Sequence, residues 1–256
     1  MIGVALPTAA GAWLDALAAA DLDGVVAVTA PGAVSALPPA TGPETAARVM
    51  ADDPPALRDA LEPKFGSGRR LEALACTVDG DDVLVEGRTV RPDGAAEATI
   101  IAALRCDAGG ERLVRQLVYA CPLVEPSPAW AQRPATSGDA GAMVDRYLEL
   151  LDGSAFEAAA DCFSSDVLYS HPPYGPRRPR AEFRGRDELV AGFRRRGPKP
   201  DREHIIVRSP QAGRDCVLEG YTIDAPVGGS FLSSLSLDDD GRIRRYVAVY
   251  CEPVVP

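Results

Sequence analysis

The 256-residue chain contains two histidines, His171 and His204, both in its second half. An imidazole with an ordinary pKa of about 6.5 can take or give a proton near neutrality without the burial a carboxylate would need, so either ring is a candidate general base or acid. The same half supplies hydroxyls on Tyr147, Tyr169, Tyr174, Ser233, Tyr246 and Tyr250, and a carboxylate, Glu219, on a strand-like segment. Beside a base, such hydroxyls can stabilise a developing enolate or alkoxide. Each residue also has a plainer reading. His171 precedes two prolines and suits a loop, His204 opens a strand after a polar run and suits solvent, and Tyr147 lies at helical spacing with Met143 and Leu151 and suits a core. Glu219 is costly to bury unpaired on a central strand. It has a counterpart, Glu86, in the half without histidines, which favours a structural pairing shared by both.

Other chemistries lack their residues. The sequence holds no Gly-rich phosphate loop, no G-x-S-x-G elbow, no H-E-x-x-H and no dinucleotide fingerprint, so no cofactor is expected. Two histidines 33 residues apart without a spaced carboxylate do not make a metal site, and none is expected. Six cysteines (Cys76, Cys106, Cys121, Cys162, Cys216 and Cys251) form no C-x-x-C pair and read as reduced packing residues. A net charge of -10 argues against nucleic acid, and no apolar run reaches the roughly 18 residues that cross a bilayer. The expectation is a cytoplasmic protein without a membrane or nucleic-acid partner. One segment runs against the acidic balance: Arg177 to Arg202 carries ten basic and four acidic residues. It could attract a carboxylate, a phosphate or a coenzyme A tail, or simply be a solvated face.

The elements that must position these residues occur twice. VLVEGRTV (83–90) returns as CVLEGYTI (216–223), placing Glu86 and Glu219 133 residues apart, and LVRQLVYACP (113–122) returns as IRRYVAVYCEP (243–253), with Cys121 and Cys251 130 apart. Each half opens on an apolar-periodic helix, at 12–24 and at 143–156. The join is SPAWAQRPATSGDA (127–140), whose composition marks an exposed linker. In the second half, helices are expected at 142–151, 155–162 and 187–195, and strands at 166–170, 204–208, 215–224, 229–237 and 242–251. Helices followed by antiparallel strands indicate an α+β fold. The last strands are apolar at both parities, Val247 and Val249 against Tyr246, Ala248 and Tyr250, so both sheet faces should be buried.

The stretch RYLELLDGSAFEAAADCFSSDVLYSHPPY, then FRGRDELVAGF and SLSLDDDGRIRRYVAVYCEP, resembles the ketosteroid isomerase, SnoaL-like polyketide cyclase and nuclear transport factor 2-like superfamily. The first half resembles it more weakly, through its opening and closing segments. The resemblance implies two tandem cone-shaped domains, about 8–125 and 140–254, each a curved antiparallel sheet wrapped around helices, packed as a pseudo-dimer. A monomer in solution follows as the expected state. It also implies roles: Tyr147 matches the family's oxyanion donor, His171 stands where relatives carry an acidic base, and Ser233 falls on a third pocket position. Trp13, Leu37 and Ala102 occupy those positions in the first half, which should therefore have a filled or apolar interior beside an active second half.

The reading is a cofactor-independent acid–base enzyme of cyclase, isomerase or dehydratase type. Its substrate is expected to be a hydrophobic oxygenated small molecule, a secondary-metabolite intermediate. His171 and Tyr147 are its catalytic residues, Tyr169, Tyr174, His204, Glu219, Ser233, Tyr246 and Tyr250 its substrate contacts, and its pH–rate profile should follow an ordinary imidazole. Polyether-type epoxide opening, which would lean on Glu219, and non-catalytic binding or interaction are the alternatives.

Overall fold

The structure, a computed structural model, describes residues 5–37, 49–51, 53–125, 133–134, 140–173, 179–223 and 228–251. The chain divides into two compact units, 1–135 and 136–256. In the first, helix α1 (Thr8–Ala18) buries Trp13, Leu14 and Leu17. The chain then turns through Ala20 at φ 56°. Asp21 starts a second helix, α2 (Leu22–Val28), by accepting a hydrogen bond from the Gly24 amide at 2.9 Å. The single helix expected over 12–24 is therefore two, because an aspartate that satisfies a free N–H begins a helix more readily than it continues one. Next come β1 (Thr29–Leu37), β2 (Val49–Ala51) and α3 (Pro54–Phe65). The unit ends with β3 (Arg70–Asp79), β4 (Asp82–Val90), β5 (Ala96–Cys106), β6 (Leu113–Pro122) and β7 (Arg133–Pro134). Gly80, at φ 59°, supplies the positive-φ position of the tight β3–β4 turn.

The second unit repeats this order. It has α4 (Ala140–Asp152), α5 (Phe156–Ala160), β8 (Phe163–His171), β9 (Ala181–Arg184) and α6 (Arg186–Arg196). Then follow β10 (Glu203–Arg208), β11 (Gln211–Ala212), β12 (Asp215–Ile223), β13 (Gly229–Leu237) and β14 (Ile243–Cys251). The α4–α5 turn passes through Ser154 at φ 61°, as the α1–α2 turn does through Ala20, and separates the two helices expected at 142–151 and 155–162.

Apart from the two-residue strands β7 and β11, the sheets correspond strand for strand. The first runs β2-β1-β6-β5-β4-β3-β7 and the second β9-β8-β14-β13-β12-β10, with β11 paired to β12. Most neighbours are antiparallel, but β1 with β6 and β8 with β14 are parallel, so each sheet is mixed rather than wholly antiparallel. These pairs join the first and last long strands of a unit, which no hairpin connects, so nothing in the chain path forces them to oppose. Most of the expected linker lies outside the described residues, but 133–134 are not loop: they pair in parallel with Thr77 and Val78 of β3.

Register fixes the counterparts. Ser35 pairs with Gln116 as Tyr169 pairs with Tyr246, Leu71 with Thr89 as His204 with Thr222, and Ala102 with Val118 as Ser233 with Ala248. Each sheet turns one face to its own helices. The first unit's core is largely aliphatic around Trp13 and Phe65, whereas the second is aromatic, with Tyr147, Phe163, Tyr169, Phe193 and Tyr246. The opposite faces are buried as well, at Leu84, Ile101 and Leu117 in the first unit and Val217, Leu232 and Val247 in the second.

Candidate active site

In the second unit β8, β12 and β14 end, and β10 and β13 begin, at one end of the sheet, where α4 and α6 also terminate. His171 closes β8, part-buried, two residues beyond Tyr169 on the same face, and the two rings stack at 6.0 Å. Its Nδ1 lies 2.8 Å from the Pro172 carbonyl oxygen. A carbonyl can only accept, so Nδ1 carries the proton and Nε2 the lone pair. Burial holds this imidazole far below its ordinary range, at about 3. The Pro172 carbonyl opposes that shift, and the charges of Arg180, Arg196 and His204 add to it. His171 is therefore neutral at any physiological pH. The expected pH–rate profile with an ordinary imidazole pKa does not belong to this ring.

Arg180 fixes the strand end that carries His171. Its guanidinium donates to Ser170 Oγ at 2.7 Å, to the Ser170 carbonyl at 3.2 Å and to the Ala248 carbonyl, bracing the parallel β8–β14 pair from both sides.

His204 does not face solvent. Its backbone N–H donates to Asp152 Oδ2 at 2.9 Å and its ring Nδ1 to Oδ1 at 2.7 Å, so the last residue of α4 grips the first turn of β10 at two points. The two side chains are 9% and 17% exposed. A carboxylate on Nδ1 fixes tautomer and ring direction, turns Nε2 outward from the pair, and stabilises an imidazolium once Nε2 takes a proton. The ring packs against Phe231 at 5.8 Å, and both imidazoles stand at the end of the sheet where β8 closes and β10 opens.

Beneath them lies a layer of phenols. Tyr147 and Tyr169 share a hydrogen bond between hydroxyls at 3.0 Å, Tyr169 stacks on Tyr246 at 5.3 Å, and Ser233 donates to the Tyr246 hydroxyl at 3.0 Å. Tyr147, Tyr169, Tyr246 and Ser233 are all buried. The Tyr147 hydroxyl, read from the resemblance as an oxyanion donor, is engaged with Tyr169. Tyr250 is part-buried, and its hydroxyl lies 3.4 Å from Thr222 Oγ1, on the residue paired with His204. Gly229 admits that ring, since a Cβ there would stand 2.1 Å from the Tyr250 hydroxyl.

Glu219 is not part of this gathering. It shares the opposite sheet face with Val217 and Leu232 and pairs with Arg208 at 3.3 Å, which leaves the substrate-contact role expected of it without support. Tyr174 lies outside the described residues. Asp152, which sequence reasoning missed, is visible only as the aspartate ending the first helix, because its partner comes 52 residues later. Among the described residues no group of three metal-capable side chains occurs. The thiols of Cys76 and Cys216 are pushed up by burial to about 11 and about 12, as packing residues would be.

The counterparts in the first unit cannot do this chemistry. Leu37 replaces His171, Leu71 replaces His204, Ala18 replaces Asp152 and Trp13 replaces Tyr147. Its interior is nevertheless not wholly apolar, which corrects that expectation. Trp13 Nε1 donates to Gln116 Oε1 at 3.0 Å, and Gln116 Nε2 donates to Ser35 Oγ at 3.0 Å, so each buried polar atom finds a partner. Nor is the unit without hollows: Ala18 and Leu71 line a cleft of about 370 Å³ between α1 and β3.

Residues 139–211, most of α4 to β11, match the family model described as the SnoaL-like domain. Solved structures similar to parts of the chain include a putative ketosteroid isomerase from Kribbella flavida, at 18% identity over 48% of this chain and 84% of that one, TM-score 0.38. A nuclear transport factor 2-like protein of unknown function from Burkholderia xenovorans is 15% identical over 46% and 87%, TM-score 0.38. An LEH-like epoxide hydrolase from M. tuberculosis is 20% identical over 44% and 82%, TM-score 0.34. No curated protein matches the chain significantly.

Proposed function

We propose that the second unit is a cofactor-independent acid–base enzyme that moves a proton next to a carbonyl on a hydrophobic, oxygenated small molecule, in an isomerisation, cyclisation or dehydration. The observation that carries this reading is the Asp152–His204 pair beside a neutral His171. His204 Nε2 takes the proton, and the Asp152 carboxylate stabilises the imidazolium that forms. The Tyr250 hydroxyl meets Thr222, the residue paired with His204 across the strands, and in this scheme it donates to the developing enolate oxygen. His171 offers Nε2 as an acceptor and orients a substrate hydroxyl, a role suited to a ring that stays neutral. Polyether-type epoxide opening calls for carboxylates free to act, and here Asp152 is held by His204 while Glu219 sits on the far face.

The test needs no knowledge of the natural substrate. 2-Tetralone carries acidic protons beside its carbonyl and fits an aromatic site. The protein should accelerate solvent-deuterium incorporation, read by mass spectrometry, and His204→Ala should lower the rate by about 10²–10⁴-fold. Exchange no faster than in buffer, or undiminished in His204→Ala, would return the domain to a purely binding role.

A further inference from the structure

The arginine-rich helix α6 carries a buried guanidinium nitrogen that has no acceptor among the described residues. Arg186 pairs with Asp161, Arg194 with Glu157, and the Arg195 guanidinium lies over the Phe183 ring at 5.6 Å. Arg196 differs: its Nη1 is buried and has no hydrogen-bond partner among the described residues. A buried guanidinium N–H without an acceptor carries its full desolvation cost, and folded proteins rarely keep one unless something else supplies the acceptor.

Its place in the fold says what that is. Arg196 stands one helical turn beyond Phe193, on the same side of α6. Phe193 packs on Tyr147 at 6.0 Å and on Tyr169 at 5.7 Å, inside the aromatic layer. Gly197, at φ 73°, ends the helix immediately afterwards, so Arg196 projects from the last turn at the end of the sheet where His171 and His204 lie. Its charge reaches His171.

We infer that Arg196 binds a carboxylate of the substrate, so that the second unit acts on hydrophobic carboxylic acids rather than on neutral ketones alone. A planar carboxylate is the oxyanion that a guanidinium fork fits best, and one cation matches one negative charge. This names the substrate class for the acid–base reading of the same site and rests on that reading.

The probes are 2-naphthoate and its uncharged isostere 2-naphthamide, titrated calorimetrically at pH 7 into the full-length protein. The acid should bind about tenfold or more tightly than the amide, and Arg196→Gln should bring the two within about twofold while leaving the amide unchanged. Arg196→Lys, which keeps the charge but not the fork, should recover part of the preference. Equal affinities in the native protein, no binding of either probe at millimolar concentration, or a preference that survives Arg196→Gln each overturn the assignment. Failure here together with 2-tetralone exchange that depends on His204 removes the carboxylate alone. An acid preference that depends on Arg196 without exchange removes the acid–base reading alone.

Discussion

Asp152 holds His204 through two separate hydrogen bonds, one to the backbone amide and one to the ring, so a single carboxylate sets both where the strand begins and where the imidazole points. At the same place in the first unit stand Ala18 and Leu71, which can do neither. Asp152→Asn should keep an acceptor for the ring N–H yet lose the charge that stabilises the imidazolium. Exchange of 2-tetralone should fall by about 10²-fold or more, and, because an amide has only one acceptor oxygen for the two N–H groups, the melting temperature should fall as well. An Asp152→Asn protein with native exchange would strip the pair of its catalytic meaning.

The low pKa of His171 makes a statement about acid. The ring is neutral when folded down to about pH 3, but protonates near 6.5 when unfolded. Below 6.5 the unfolded chain therefore binds the extra proton. The stability present above that pH is lost progressively as pH falls toward 3. Urea midpoints measured from pH 7 to pH 4 should drop more steeply in the native protein than in His171→Asn. Parallel slopes would show that the ring is not held neutral.

In the first unit Trp13→Phe deletes the donor to Gln116 Oε1 and leaves that oxygen buried without the indole. The expected cost is about 1–3 kcal/mol in denaturant unfolding. Leu37→Ala, at a fully buried position, should cost about 2–5 kcal/mol. Neither change should alter exchange by the folded protein. A large loss of rate from either one would place the first unit in the chemistry.

Gly220 lets two neighbours close on it: a Cβ there would lie 2.4 Å from the Phe231 ring and 2.5 Å from the Ile205 carbonyl oxygen. The ring can move but the strand cannot. Gly220→Ala should therefore destabilise by about 1–3 kcal/mol and displace Phe231 from the edge of His204. The expected signature is a shifted His204 ring proton resonance together with a lower melting temperature; an unchanged resonance would mean that Phe231 does not seat the imidazole.

Much of the fold was legible because β4, β6, β12 and β14 carry matching strand patterns in both halves, and β13 was bounded correctly at Gly229 and Leu237. The helix pair of the second unit was legible too, at 142–151 and 155–162, whereas the break at Ala20 is a single backbone turn hidden inside the apolar stripe of 12–24. In the site, the sequence pointed to His171 and Tyr147 through their neighbours in the chain. It could not show that Tyr147 spends its hydroxyl on Tyr169, nor that His204 meets Asp152, because both partnerships depend on folding distant segments together. The face chosen by Glu219 follows from register with Leu232, which no strand reveals alone.

The parallel pairing of β8 with β14 also governs when the molecule can be finished. One edge of β8 meets nearby β9, but on its other edge Tyr169 and Ser170 meet Tyr246 and Val247, at the far end of the unit. On a ribosome, β8 can pair early with β9, but its other edge stays open until β14 is synthesised, while β12, β13 and β14 can zip hairpin by hairpin. Closure is thus a late, long-range event of the kind that slows folding and leaves intermediates sticky. The strand kept waiting is the one that carries His171.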